Sequence, residues 1–124
     1  MIQFKDSIGR AEITLTAVPM GRDWTIVITG GDGPHLGAAA LGIPRPSLEN
    51  PEKTSASVSV LTVTGHRDDE IARAAAHLLA SRLGRKALVT CGIHLDDINY
   101  DELLQVGEIA NGLLERFISV VEKK

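Results

Sequence analysis

The chain has 124 residues, a formal net charge of −3 and only 3% aromatic residues. That length suits one ordinary domain, expected to span 1–124. The acidic balance and the scarcity of stacking rings exclude the usual nucleic-acid binder, and no apolar stretch approaches the length that crosses a bilayer.

Residues 1–10 carry Lys5, Asp6 and Arg10 without an apolar run, so they do not read as a signal peptide. From residue 11 the pattern alternates. Ala11, Ile13, Leu15 and Ala17 are set against Glu12, Thr14 and Thr16, which predicts a half-buried strand over 11–18. Met20-Gly21-Arg22-Asp23 reads as a turn, and Trp24, Ile26 and Ile28 mark the return strand over 24–29 of a hairpin. Trp24 is expected in the core or at an interface.

Gly30-Gly31-Asp32-Gly33-Pro34-His35 follows as a glycine-rich turn, and Leu36 to Leu41 as a short apolar strand. Three prolines, Pro44, Pro46 and Pro51, fall within 42–54, which predicts a long exposed loop free of regular structure. Residues 55–64, rich in Ser, Val and Thr, have strand composition.

A helix is expected from Asp68, taken as its N-cap, with Asp69 and Glu70 in the first turn. Its stripe is Ile71, Ala75, Leu78 and Leu79, and Gly84 is the C′ residue. His77 on this helix reads as a surface or packing residue. Residues 87–93 form the next strand. It holds Cys91, a lone thiol that forms no internal disulfide, suits a reducing compartment and reads as a small buried hydrophobe. A cytoplasmic location is expected. The last helix opens with a capping box, Asn99 and Glu102, and carries a stripe of Leu103, Val106, Ala110, Leu113, Leu114, Phe117 and Val121. Gly107 and Gly112 interrupt it, a composition that would suit a close contact with the sheet or another subunit. The order is strand, strand, strand, strand, helix, strand, helix: an α+β fold, mostly antiparallel, with both helices in the C-terminal half and packed on one side of the sheet.

This topology sends His35, His66 and His94 to one edge. If the 24–29 strand runs up, the glycine turn and His35 lie at the top. The 55–64 strand also runs up, placing Gly65-His66 there, and a crossover helix returns the chain so that His94 and Asp96 emerge beside them. Each histidine has glycine nearby: Gly33 and Gly37 flank His35, Gly65 precedes His66, and Gly92 lies two residues before His94. Glycine lets backbone or ligand approach closely. The helix start after His66 offers backbone N–H groups to an anion, and the Gly30-Gly31-Asp32-Gly33 turn is a second candidate nest. The plainer alternatives are an ordinary turn and solvated histidines at strand ends. The sequence lacks Gly-x-Gly-x-x-Gly opening a helix, a Walker loop, a Gly-x-Ser-x-Gly elbow and His-Glu-x-x-His. A metal site of His35, His66, His94 and Asp96 is chemically acceptable for zinc or iron, and spacing alone does not decide whether a metal is bound.

Taken together, Gly30-Gly31-Asp32-Gly33-Pro34-His35-Leu36-Gly37, Gly65-His66-Arg67-Asp68-Asp69 and Gly92-Ile93-His94-Leu95-Asp96 resemble the LpdD-type group, small accessory proteins associated with gallate and related aromatic-acid decarboxylases. The resemblance runs from about Thr29 to Phe117. It implies a non-catalytic chaperone or carrier of prenylated FMN, bound as cargo, that serves a UbiD-type decarboxylase. It also implies a fold similar to proteasome assembly chaperones, small α/β proteins that pair as dimers. On that reading Gly30, Gly31 and Gly33 and the helix start at Arg67, Asp68 and Asp69 would hold the phosphate, and Gly37, Gly65 and Gly92 would belong to the same cofactor site. His35, His66 and His94 would touch flavin or phosphate, and Asp96 would orient His94. Asp32, Asp68 and Asp69 must then point away from a phosphate or hold a cation, and aliphatic side chains or a partner subunit must cover the ring. Two other readings stay open: a metal-dependent enzyme using the three histidines and Asp96, and an assembly chaperone without a small-molecule ligand. A homodimer is expected because a small sheet must cover its free edges.

Overall fold

A computed structural model describes residues 1–63 and 67–122. Gly65 and His66, both singled out above, lie outside the described residues. Six strands form one sheet in the order β1-β2-β3-β6-β4-β5: β1 Ile2–Ile8, β2 Ala11–Met20, β3 Asp23–Gly31, β4 Ala38–Pro46, β5 Thr54–Thr62 and β6 Ala87–His94. Two helices, α1 Asp68–Leu83 and α2 Tyr100–Glu122, complete the α+β fold. β3 and β6 run parallel, and every other pair is antiparallel. Among the described residues no helix is long and apolar enough to cross a membrane.

The alternation expected in β2 and β3 sets the packing. Ile13, Leu15 and Ala17 pair across from Gly30, Ile28 and Ile26, so their side chains share one face. Val89 and Cys91 of β6 and Ala38 and Ala40 of β4 continue that face, and all are buried. The turn between β2 and β3 has left-handed backbone at Gly21 (φ 64°) and not at Arg22, the pattern of a type II′ hairpin.

α1 covers β4, β5 and β6, while α2 lies against β1 and β2 and touches α1. The buried stripe of α1 is mostly alanine (Ala72, Ala75, Ala76 and Ala80, with Leu79), which brings the helix axis close to the sheet. Ile71 and Leu78, expected in that stripe, are only partly buried. α2 buries Val106, Ala110, Leu113, Leu114 and Phe117 as expected, together with Ile109 and Ile118. Phe117 meets Trp24 edge-on, with ring centroids 4.9 Å apart. Trp24 is thus partly buried and packs against the core.

Four expectations need correction. First, residues 2–8 form a strand. Ile2 and Phe4 alternate with exposed neighbours and pack on the core, a pattern too short in apolar residues to stand out. Second, β4 runs into the presumed proline loop as far as Pro46 and β5 begins at its last residue, Thr54, leaving residues 47–53 outside strands. β4 pairs with β6 only over Ala38–Gly42, so beyond that point its one partner is β5. The Ser47 N–H donates to Lys53 O at 2.8 Å across the β5 side. By alternation, Pro44 and Pro46 turn their nitrogens to the vacant side, where no donor is needed. Third, Arg67 and not Asp68 holds the N-cap position of α1, without a side-chain cap hydrogen bond. Asp68 is instead a buried first-turn residue with other partners. Fourth, a methyl group at Gly107 or Gly112 would meet open space, so neither glycine serves contact with the sheet. Gly84 closes α1 as expected, in left-handed conformation with its N–H on Ala80 O.

Candidate functional site

The strand directions place the ends of β3, β5 and β6 and the start of β4 at one edge of the sheet. His35 and His94 both stand at that edge, as the topology predicted. Their surroundings differ.

His35 is tied to the core. Its Nδ1 donates to Gly33 O at 2.9 Å, and Nε2 lies 3.1 Å from Asp68 Oδ2. A carbonyl only accepts, so one ring proton sits on Nδ1; a second proton, on Nε2 or on the carboxyl, completes the contact with Asp68. Asp68 is 4% exposed. Its Oδ1 accepts the Ile93 N–H at 3.1 Å and faces the Cys91 thiol at 3.8 Å. Burial, reinforced by this neighbouring carboxylate, pushes the Cys91 thiol far above its ordinary value and leaves it a poor nucleophile.

The glycines explain how these groups meet. A Cβ at Gly92 would overlap the His35 backbone, and one at Gly37 would overlap the Asp68 carboxylate. The close approach predicted for a ligand is therefore taken up by the protein's own chain. The expected nest at Gly30-Gly31-Asp32-Gly33 is corrected for the same reason. The N–H groups of Asp32 and Gly33 both donate to His94 O, at 2.6 and 3.4 Å, and do not stand open to an anion.

His94 lies at the mouth of a cleft of about 460 Å³ between the end of β6, the start of α1 and the start of α2. Ile71, Ile93, Leu95, Ile98, Leu103 and Val106 make its apolar wall, and Arg67, Asp68, His94 and Asp97 its polar margin. A cleft of this size and balance suits a small organic molecule. His94 Nε2 stands 3.0 Å from Asp96 Oδ1, the pairing expected from sequence. Arg67 lies 3.6 Å from Glu70. Of the predicted site residues, Arg67, Asp68 and His94 line this cleft; His35, Gly30, Gly31, Gly33, Gly37, Gly92 and Asp96 do not. No group of three or more His, Cys, Asp or Glu side chains suited to a metal occurs among the described residues.

Sequence reasoning missed the cleft's apolar wall, because Ile71, Leu103 and Val106 read as ordinary helix stripes. It also missed Arg10. This residue, in the β1–β2 turn, donates to both carboxylate oxygens of Glu102 (2.6 and 2.9 Å) and to Asp96 O (2.6 Å), and stands 3.5 Å from Asp32. Glu102 also closes the predicted capping box: its N–H donates to Asn99 Oδ1 at 2.8 Å, and Asn99 N–H returns to Glu102 Oε1. The Arg10 hydrogen bonds, then the Asn99 N–H, hold the Glu102 carboxyl down at about 2. Arg10 therefore fixes the α2 start that forms one side of the cleft. A signal was present in the reciprocal Asn99–Glu102 pair, whose carboxylate had capacity left for a cation.

Comparison with known proteins bears on the fold and the family. No curated protein matches the chain. Among solved structures, a chain from a chaperone complex for yeast 20S proteasome assembly is similar in fold, with a TM-score of 0.55 at 14% identity, covering 99% of this chain and 98% of that one. The family model of the prenylated flavin chaperone LpdD-like domain matches residues 7–122, and the chain belongs to that family.

Proposed function

We propose that this protein is a non-catalytic carrier that binds prenylated FMN as cargo and assists maturation of a UbiD-type aromatic-acid decarboxylase, acting as a homodimer in the cytoplasm. The observation that carries the reading is the cleft beside His94, together with membership of a prenylated flavin chaperone family. Its aliphatic wall would cover a flavin ring where the sequence has few aromatic residues. Arg67 would meet the phosphate, and His94, oriented by Asp96, a polar edge of the ring or the phosphate.

Two of the acidic residues that would repel a phosphate, Asp68 and Asp32, have partners within the protein, whereas Asp97 also lines the cleft and would have to turn its carboxylate away. Asp68 faces His35 and the Ile93 N–H, while Asp32 faces Arg10 and accepts the Asp96 N–H. His35, Gly37 and Gly92 then act on the cargo indirectly, by holding Asp68 and the end of β6 in place. Gly31, paired with His94, and Gly33, whose N–H reaches His94 O, support the His94 backbone, while Gly30 makes room for β2. Gly65 and His66 retain the roles that the resemblance implies for them.

Calorimetric titration with reduced and with oxidised prenylated FMN tests the proposal. Micromolar or tighter binding, weakened by Arg67→Ala and by His94→Ala, is expected. No binding of either form would overturn it and leave a protein-assembly chaperone without a small-molecule ligand as the better reading.

A further inference from the structure

The sheet is open along β1, along β4 beyond Gly42 and along β5, and the first two edges are guarded. β1 carries Lys5 and Asp6 and packs against α2. β4 beyond Gly42 carries Pro44 and Pro46, whose nitrogens have no proton to offer. Charges and prolines on an edge strand keep other chains from adding to the sheet. β5 has neither. Its nine residues, Thr-Ser-Ala-Ser-Val-Ser-Val-Leu-Thr, hold no charge, proline or glycine. They pair with β4 in unbroken register, so no bulge turns the edge away.

Hydrogen bonds fix which groups are bare. Val63 N–H donates to Gly37 O at 2.9 Å and Ser47 N–H to Lys53 O at 2.8 Å, so the odd-numbered residues of β5 bond inward to β4. By alternation Thr54, Ala56, Val58, Val60 and Thr62 aim their N–H and C=O groups off the edge. Val58 and Val60 pack on the core on the face that α1 covers. Arg73 projects from α1 on the flank opposite Ile71, Ala75 and Leu78, which face α2, and so stands on the β5 side. Arg67 and Arg82 of the same helix meet Glu70 and Glu115, whereas Arg73 has no such partner among the described residues.

We propose that the β5 edge is a docking strand for an extended segment of the enzyme that receives the cargo. The identity of that enzyme rests on the carrier reading. The edge sets the chemistry of the segment: backbone groups that continue the ladder, small apolar residues at alternate positions beside Val58 and Val60, and an acidic residue for Arg73. A second copy is the weaker occupant. Nine residues at about 3.4 Å each, in a sheet ~10 Å thick, offer roughly 300 Å², well under the ~800 Å² per partner of a lasting interface. A contact of that size forms and releases readily, as delivery requires. β5 also ends at the same end of the sheet as β6, so a docked segment leads towards the cleft.

Hydrogen exchange of the whole chain, alone and with the purified cargo-free decarboxylase, tests the proposal amide by amide. In the protein alone, the outward amides of Ala56, Val58, Val60 and Thr62 are expected to exchange at least tenfold faster than the inward ones of Ser57, Ser59 and Leu61. With the enzyme, the outward set is expected to slow at least tenfold. Thr62→Pro removes an outward donor without touching the β4 ladder, and Arg73→Glu reverses the charge. Each should weaken enzyme binding at least tenfold and leave the thermal midpoint and prenylated FMN binding unchanged. Outward amides already protected in the protein alone would overturn the proposal and assign the edge to a second copy. An enzyme that binds while these amides stay fast, or that does not bind, would overturn it as well. Prenylated FMN titrated into the unmodified chain then decides separately whether the carrier reading stands.

Discussion

His35 and His94 leave the same sheet edge and end in opposite surroundings. His35 is bound to a buried carboxylate, with its backbone laid over Gly92, so it works as a strut between the β3–β4 connection and the start of α1. His94 is 46% exposed at the mouth of an open cleft. In sequence the two look alike, each a histidine near glycine. What separates them is whether the chain itself fills the space that glycine leaves. Where it does, the histidine belongs to stability; where it does not, the histidine faces a cleft that a ligand can enter.

That contrast can be broken from either side. The largest effect is expected on the strut: Gly92→Ala forces a methyl group into the His35 backbone and should cost ~3 kcal/mol of stability, measured by urea unfolding. Asp68→Ala leaves the Ile93 N–H without its acceptor and His35 without its partner in a buried setting and should cost about 2 kcal/mol. It should also expose Cys91 to chemistry: the native thiol, held protonated by burial and by Asp68, is expected to resist alkylation at mildly alkaline pH until the protein unfolds, and Asp68→Ala to react faster. His94→Ala should cost under about 0.5 kcal/mol yet weaken prenylated FMN binding at least tenfold. A stability loss at His94 equal to that at Asp68 would erase the distinction.

The smallest effect concerns Arg10 and Glu102. The Glu102 carboxyl is depressed from its ordinary 4.5 to about 2. Its contribution to stability is therefore complete above the ordinary value and lost as pH falls towards the depressed one. Arg10→Met should flatten that part of the acid-unfolding profile, and an unchanged profile would remove Arg10 as the anchor of α2.

Much of the fold was legible because period and capping agreed. The Ala11–Ala17 alternation, the Asn99–Glu102 box and Gly84 each pointed to one local structure, and the structure has it. β1 was not legible, since Ile2 and Phe4 are its only clear inward pair. The first part of β4 was legible as the short strand expected at 36–41, but its continuation through 42–46 was hidden because proline argues against a strand unless its nitrogen faces a vacant side, and that depends on how far β6 reaches. The site was half legible. Topology brought His35 and His94 to one edge. The cleft itself arises where α1 and α2 start beside β6, so its wall of Ile71, Leu103 and Val106 reads in sequence as core.

The most direct measurement is an amide map by nuclear magnetic resonance while prenylated FMN is added. The expected result is a set of shifts confined to residues 67–71, 93–98 and 103–106, with little change at His35 beyond what Asp68 transmits. Shifts centred elsewhere, or no shifts on saturation with the cofactor, would contradict the assignment of the cleft as the cargo site.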